Sequence, residues 1–529
     1  MKKLVATRDG NLLFFRQPSP RLRRILHNLL TYWRTSYARS PRTRDMQMQR
    51  IPVQCYAEYS ATDTSPPQLV TPAGYLWHLA EQLRAFGYKL AVRDRPWPKN
   101  MDVYKPDWSR VEGVEWRYQQ RETLEAIATN VMGRIRWPTG AGKSFLISQL
   151  CKQYPNARID ITTNSLDVIT DLYRNVSKAC TRVALITGSG PRMRPSRINC
   201  VSGKSLHHMD GNADFLLVDE AHEWATDDAQ ERLSRYRYAK TFLFSANPVG
   251  DRSDGADFEL IGTAGRELSV ISYADAVKHK MVVPMEVRWY SCVMSQNPCE
   301  GVTNGVAKKR RGFWRNGKRN RMIQQIAQEF TDDDQVLIVV DTIEHAMQLK
   351  KLLPEFTLCY GQGLSREDRK TYERTGCIGV HEPMMDAVRR QRIKRRFEDG
   401  RLKKVIATGV WNRGVDFRNL SVLIRADGKN SRIADTQIPG RVSRTRKDGK
   451  VKTGIVIDFV DVFDESFAQR SAQRRRCYAR HGWTQIGMQL IDGKSSQRRT
   501  LSQVSAPAAP KAPSRPNKRL GSLLKSDKR

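Results

Sequence analysis

Two short segments of this chain hold the residue types that phosphate chemistry needs. Gly140-Ala141-Gly142-Lys143-Ser144 follows the apolar stretch Gly133 to Trp137 and precedes SFLISQLCKQY, which carries helical patterning. In such a strand, loop and helix setting the glycines let backbone N–H groups approach phosphate oxygens. Lys143 reaches the outer phosphates, Ser144 offers an oxygen to magnesium, and Thr139 belongs to the same loop. Trp137 stands where a full P-loop has its first glycine, so its ring is expected to narrow or reshape the loop entrance. The second segment begins with Phe215, Leu216, Leu217 and Val218, the pattern of a strand buried on both faces, and ends in Asp219-Glu220. Paired acids at a strand end suit metal and water chemistry. Asp219 is the candidate for magnesium, and Glu220 the group that orients and polarises an attacking water.

Three more segments follow in order: Ser245-Ala246-Asn247, then Thr408-Gly409 with Gly414 and Asp416, then Gln437 with Gly440, Arg441 and Arg444. Taken together, the five segments resemble superfamily 2 helicases and translocases over roughly residues 115 to 460. The resemblance is to the DEAH branch, spelled here by Asp219, Glu220, Ala221 and His222. It implies two RecA-like domains that close on ATP and Mg2+. Lys143, Glu220, Gln437, Arg441 and Arg444 become the catalytic set, with Gln119, Thr139 to Ser144 and Asp416 around the nucleotide and Ser144 and Asp219 on the metal. Gln119 is then the glutamine that reads adenine, where a lone glutamine on a helix is otherwise polar surface. His222, Ser245 and Ala246 become the coupling residues, although the family's Ser-Ala-Thr is Ser-Ala-Asn here. Thr162, Thr163, Thr408 and Gly409 are placed on the nucleic-acid backbone. An arginine finger in such a site is worth about a thousandfold or more in rate. Lys143 and the fingers lie far apart in the chain, which ties hydrolysis to domain closure.

The composition agrees with a polyanionic partner. Ninety-one basic residues against 55 acidic ones give the 529-residue chain a net charge of +36. No apolar run approaches the ~20 residues of a spanning helix, so membrane insertion is not expected. Nine scattered cysteines without a CxxC pair indicate neither a zinc module nor a disulfide scaffold and fit a reducing interior. MKKLVATRDG lacks the apolar core of a secretory signal. The arginine-rich stretch after it imitates a transit peptide, a reading placed below nucleic-acid binding or the cover of a domain face. A cytoplasmic setting, in a bacterium or a phage-infected host cell, is expected.

The expected fold is α/β, with two tandem RecA-like domains built on parallel sheets, a small α+β domain before them and a disordered basic tail after them. The expected boundaries are 1–110, 111–285, 286–490 with a basic loop at 291–320, and 491–529. In the first region TPAGYLWHLAEQLRAFG predicts a helix closed by Gly87 and followed by a strand at Lys89 to Val92. The arrangement resembles the domain that precedes the motor in UvsW-like and XPB-like DNA helicases. Tyr32, Trp33 and Tyr37 among Arg24, Arg34 and Arg39 either stack bases or form the core and rim of a helix. In KKRRGFWRNGKRNR, Phe313 and Trp314 interrupt the bases, which favours a nucleic-acid-facing loop over a merely flexible one. His207 and His208 read as surface or cleft residues. The sequence thus points to an ATP-dependent DNA helicase or translocase, with an RNA helicase or an ATP-switched nucleic-acid-binding module as alternatives. Nucleic acid is the expected partner, DNA ahead of RNA, together with replication, recombination or repair proteins.

Overall fold

The apolar run Phe215–Val218 forms the central strand of a sheet, buried on both faces as its unbroken hydrophobicity requires. A computed structural model of the chain describes residues 1–39, 46–59, 68–188, 194–247, 252, 254–361, 364–411, 417–429, 435, 438–445, 452–491 and 494–500. The chain divides into two units, Met1–Trp137 with Lys143–Ile271, and Pro138–Gly142 with Ser272–Ala506.

The first unit holds a seven-stranded sheet in the order Val183–Ile186, Ile198–Ser202, Ile159–Thr163, Phe215–Val218, Lys240–Ser245, Met132–Arg136 and Glu267–Val270. Every neighbouring pair is parallel. Parallel pairing needs crossovers, supplied here by helices such as Lys143–Gln153 and Leu166–Ala179. Ser165 caps the second of these by accepting from the Val168 backbone.

A smaller five-stranded sheet precedes it, with Leu12–Phe15, Lys2–Asp9 and Tyr88–Asp94 as neighbours and helices Pro20–Leu29 and Leu76–Ala85 alongside. The helix predicted to end at Gly87 does so, Gly87 sitting at φ 80° where only glycine is at ease. This domain is welded to the large sheet. Gly10 and Gly74 lie so close to it that a Cβ on either would stand 2.2 Å from the carbonyl of Arg237 or Ile261. The Asn11 amide donates to the Tyr236 and Ala239 carbonyls at 2.9 and 3.0 Å, and Asp9 accepts from Arg237 at 2.7 Å. Tyr32, Trp33 and their neighbours form a strand rather than a helix, Thr31–Arg39, paired antiparallel with Met46–Gln54.

The second unit carries an eight-stranded sheet: Thr357–Cys359, Lys404–Ala407, Val336–Val339, Val422–Arg425, Gly454–Asp461, Met285–Cys292, Thr484–Ile491 and Lys494–Thr500. Its first seven strands are parallel and the last pair is antiparallel. Each unit therefore contains one parallel α/β sheet of the RecA-like kind. The basic stretch read as a nucleic-acid-facing loop is instead a short helix, Gly305–Lys309, continued by a wider helical turn, Arg310–Trp314. Phe313 and Trp314 are buried, Phe313 against Phe467, so neither ring faces solvent. Lys308 pairs with Asp464, Lys309 with Asp341, and Arg310 and Arg315 with Glu344. Acids distant in sequence thus absorb charge that the local pattern left unassigned. The basic tail expected after Thr500 lies outside the described residues.

Candidate nucleotide site

The strand Met132–Arg136 delivers Trp137 to the start of the glycine loop, and Lys143 opens the helix that follows. Gly140 and Gly142 adopt φ of 90° and 99°, conformations that strain any side chain. The Trp137 ring does not crowd the loop entrance. It is fully buried, and its indole Nε1 donates to Ser269 Oγ at 2.9 Å. Ser269 Oγ in turn donates to Gln119 Oε1 at 3.3 Å, while Thr123 Oγ1 donates to Ser269 Oγ at 2.8 Å. Gln119, held at φ 59° ahead of helix Gln120–Thr129, is therefore linked to the loop through two side chains. Ser269 was missed in the sequence, because nothing near it signals that its partner lies 132 residues away.

Lys143 Nζ donates to the Trp137 carbonyl at 3.0 Å. The Trp137 backbone N–H donates to the Ser245 carbonyl at 3.0 Å, and the Ser245 hydroxyl meets His222 Nδ1 at 3.3 Å. One continuous path thus runs from the glycine loop through Ser245 to the Asp-Glu-Ala-His segment. Asn247, which follows Ala246, donates its backbone N–H to Ser245 Oγ at 3.1 Å. His222 also approaches Glu220 Oε2 at 3.6 Å, and its carbonyl accepts from Arg252 Nη1 at 3.2 Å.

Asp219 closes the central strand, its backbone N–H bonded to the Thr162 carbonyl at 2.9 Å. Its carboxylate accepts from the Glu220 backbone N–H at 3.0 Å, and Glu220 takes the left-handed conformation at φ 50°. Burial pushes the Asp219 carboxyl up to about 7; the Glu220 charge adds to this and the Lys143 charge opposes it. Asp219 therefore feels two members of the candidate set, Lys143 and Glu220. A buried carboxylate at Asp219 and a hydroxyl at Ser144, in the first turn of the loop helix, are hard-oxygen donors of the kind magnesium takes.

Thr162 and Thr163 end the neighbouring strand fully buried, and their hydroxyls find no partner among the described residues. In the second unit, Thr408 follows the strand Lys404–Ala407 and donates its backbone N–H to the Cys359 carbonyl at 3.1 Å; Gly409 opens the next turn. Arg441 is buried in the turn Pro439–Arg441, with Arg444 three residues on. Ahead of that turn, Asp435 accepts from Arg425 Nη1 at 2.7 Å, and Arg425 also donates to Tyr478 Oη at 2.8 Å. Gly414, Asp416 and Gln437 lie outside the described residues.

Residues 317–446 match the helicase conserved C-terminal domain family. The chain is 22% identical over 387 residues to "Putative helicase 22" of Sulfolobus islandicus filamentous virus, covering 66% of this chain and 65% of the viral protein. It is 27% identical over 161 residues to DEAD-box ATP-dependent RNA helicase 15 of Arabidopsis thaliana, covering 30% of this chain and 31% of that protein. The aligned stretches thus span less than two thirds of either relative. Among solved structures, S. cerevisiae Dbp5 bound to RNA and ADP BeF3 aligns over 74% of this chain and 96% of its own, at 14% identity and a TM-score of 0.51. That likeness concerns the fold.

Proposed function

We propose, for a chain that belongs to the superfamily 2 helicases, that it is an ATP-dependent DNA helicase or translocase acting on duplex or branched DNA. The observation that carries this is the unbroken hydrogen-bond path Lys143, Trp137, Ser245, His222, which joins phosphate-binding, coupling and acidic segments within one domain. A change at the phosphates is felt at Ser245 without an intermediary loop.

In this reading Lys143 and the loop N–H groups hold the outer phosphates of ATP. Gln119, fixed by Ser269, reads adenine. Ser144 and Asp219 would hold magnesium, which when bound neutralises charge on the phosphate oxygens. Glu220 accepts the proton of the attacking water and His222 restrains its carboxylate. Arg441 and Arg444, with Gln437, stabilise the charge that develops as the terminal phosphate leaves. Of the residues expected on the nucleic-acid backbone, Thr162 and Thr163 are fully buried, which leaves Thr408 and the exposed Gly409 to meet it as nucleotide state changes. The net charge of +36 supports a polyanionic track.

Replacing Glu220 with Gln tests the scheme. ATP should still bind, while hydrolysis and strand remodelling are both lost; remodelling that survives without hydrolysis would establish an ATP switch instead. An RNA helicase is the second reading, supported by the RNA helicase name of the plant relative over its 161 aligned residues. Competition between matched DNA and RNA strands in a turnover assay separates the two.

A further inference from the structure

We infer that the two-stranded ribbon Thr31–Arg39 and Met46–Gln54 is a nucleic-acid-binding arm whose occupancy is passed to the Asp-Glu-Ala-His segment through Asp254 and Arg252. This rests on the nucleic-acid-dependent reading above and names a surface that it lacks.

The antiparallel register sorts the ribbon into two faces. Arg34 stands opposite Ile51 and Tyr32 opposite Val53, whereas Trp33 stands opposite Pro52 and Thr35 opposite Arg50, with Met48 next along the same side. The first face is bound to the domain beneath it through Tyr32, Arg34 and Val53, while Ile51 on the same side stays 47% exposed. Tyr32 is buried and donates its hydroxyl to Glu259 at 2.5 Å, Val53 packs on the core, and Arg34 forks onto Asp227 at 2.6 and 2.8 Å. The second face is bare: Trp33 is 57% and Met48 65% exposed. Arg50 is exposed too, and has no ion-pair partner among the described residues.

The charge decides what this face fits. Residues 31–54 include Arg34, Arg39, Arg42, Arg44 and Arg50 against the single acid Asp45. A second copy would bring the same excess of positive charge to the contact. Nucleic acid brings phosphates for Arg50 and base faces for the Trp33 ring, which is how aromatic and basic groups together hold single strands and duplex ends.

The path inward is made of direct bonds. The Thr35 backbone N–H donates to the Asp254 carbonyl at 3.1 Å. The Asp254 carboxylate is forked by Arg252 at 2.6 and 3.0 Å, and Arg252 Nη1 donates to the His222 carbonyl at 3.2 Å. Arg34 adds a second anchor on Asp227, the first residue of the helix that follows the acidic segment. A ribbon drawn toward a strand therefore pulls on the residue whose ring contacts Ser245. Asp254 and Arg252 are positioning residues here.

The test uses the full chain, with anisotropy of labelled single-stranded and forked DNA for affinity, and ATP turnover with and without the same DNA. The double variant Trp33→Ala with Arg50→Glu should bind about tenfold more weakly or worse, the size of a lost ring stack and phosphate contact, with an unchanged melting temperature. Asp254→Asn should keep its affinity while the ratio of DNA-stimulated to unstimulated turnover falls about fivefold; Arg252→Lys, which keeps the charge and loses the fork, should do the same. Unchanged affinity in the double variant overturns the arm, and so does a change in its sedimentation alone, which would mark a self-association face. Unchanged stimulation in both Asp254→Asn and Arg252→Lys overturns the coupling. A wild-type protein that DNA does not stimulate defeats the motor reading instead, and the anisotropy still decides the arm.

Discussion

Both sheets bury charged and polar side chains, but they treat them differently. In the second unit Arg425 is shared by Asp427, Asp435 and Tyr478, Arg474 forks onto Asp458 at 2.9 Å, and Tyr478 donates to Asp458 at 2.8 Å. Arg319 likewise pairs with Asp461 at 2.8 Å. Within this network each arginine faces an acid. At the strand ends of the first unit, by contrast, the hydroxyls of Thr162 and Thr163 and the amide of Asn247 are buried without partners among the described residues, and Asp219 is pushed up to about 7. An unpaired buried polar group costs about 1–3 kcal/mol, and natural sequences retain it where function uses it. The second-unit network ties strands and a helix together through paired charges, while in the first unit unpaired groups gather at the strand ends next to Asp219.

That contrast separates loss of turnover from loss of stability. The largest effect expected is from Arg441→Ala, which should lower kcat about a thousandfold or more in steady-state ATP hydrolysis with little change in urea midpoint. Lys143→Ala should likewise abolish turnover, since it removes the cation on the outer phosphates. Arg474→Ala should do the reverse. It leaves the buried Asp458 without its ion-pair partner, the Tyr478 hydroxyl still donating to it, at about 3–5 kcal/mol in equilibrium unfolding. Were it to lose turnover at full stability, the distinction between the two regions would collapse.

A smaller effect sharpens the scaffold side. His345 is fully buried against Asn320, and burial pushes its imidazole down to about 3 from an ordinary 6.5, with the Arg319 charge adding to the fall. Below about pH 6.5 the unfolded chain takes up a proton that the folded chain refuses. Stability should therefore fall as pH drops from about 6.5 toward 3, by up to about 1.4 kcal/mol per unit from this group. His345→Gln should remove that slope in urea titrations. Smallest of all, Ser269→Ala should leave stability within about 1–2 kcal/mol of wild type. It should also narrow the preference for ATP over GTP, because Gln119 loses its tether. An unchanged preference would detach Gln119 from base reading.

The glycine loop and the paired acids were legible because their chemistry needs particular residue types close together in sequence. So were the strands Phe215–Val218 and Lys404–Ala407 and the helix that ends before Gly87, each written in a local pattern. What was not legible depends on distant partners. Trp137 looked like an obstruction because Ser269, its acceptor, is far along the chain. The stretch from Lys308 to Arg315 looked like a nucleic-acid loop because Asp341, Glu344 and Asp464, which pair with four of its five basic residues, belong to other elements. Tyr32 and Trp33 looked alike in sequence, yet strand alternation buries one and exposes the other.

The central claim is that the first domain couples nucleotide chemistry to nucleic acid. It is met most directly by measuring ATP hydrolysis of the purified protein at fixed salt without nucleic acid and with single-stranded DNA, duplex DNA, branched DNA and RNA, alongside Lys143→Ala. The account predicts turnover stimulated by DNA above RNA and abolished in the variant. Turnover that no nucleic acid stimulates, or that survives Lys143→Ala, would contradict it.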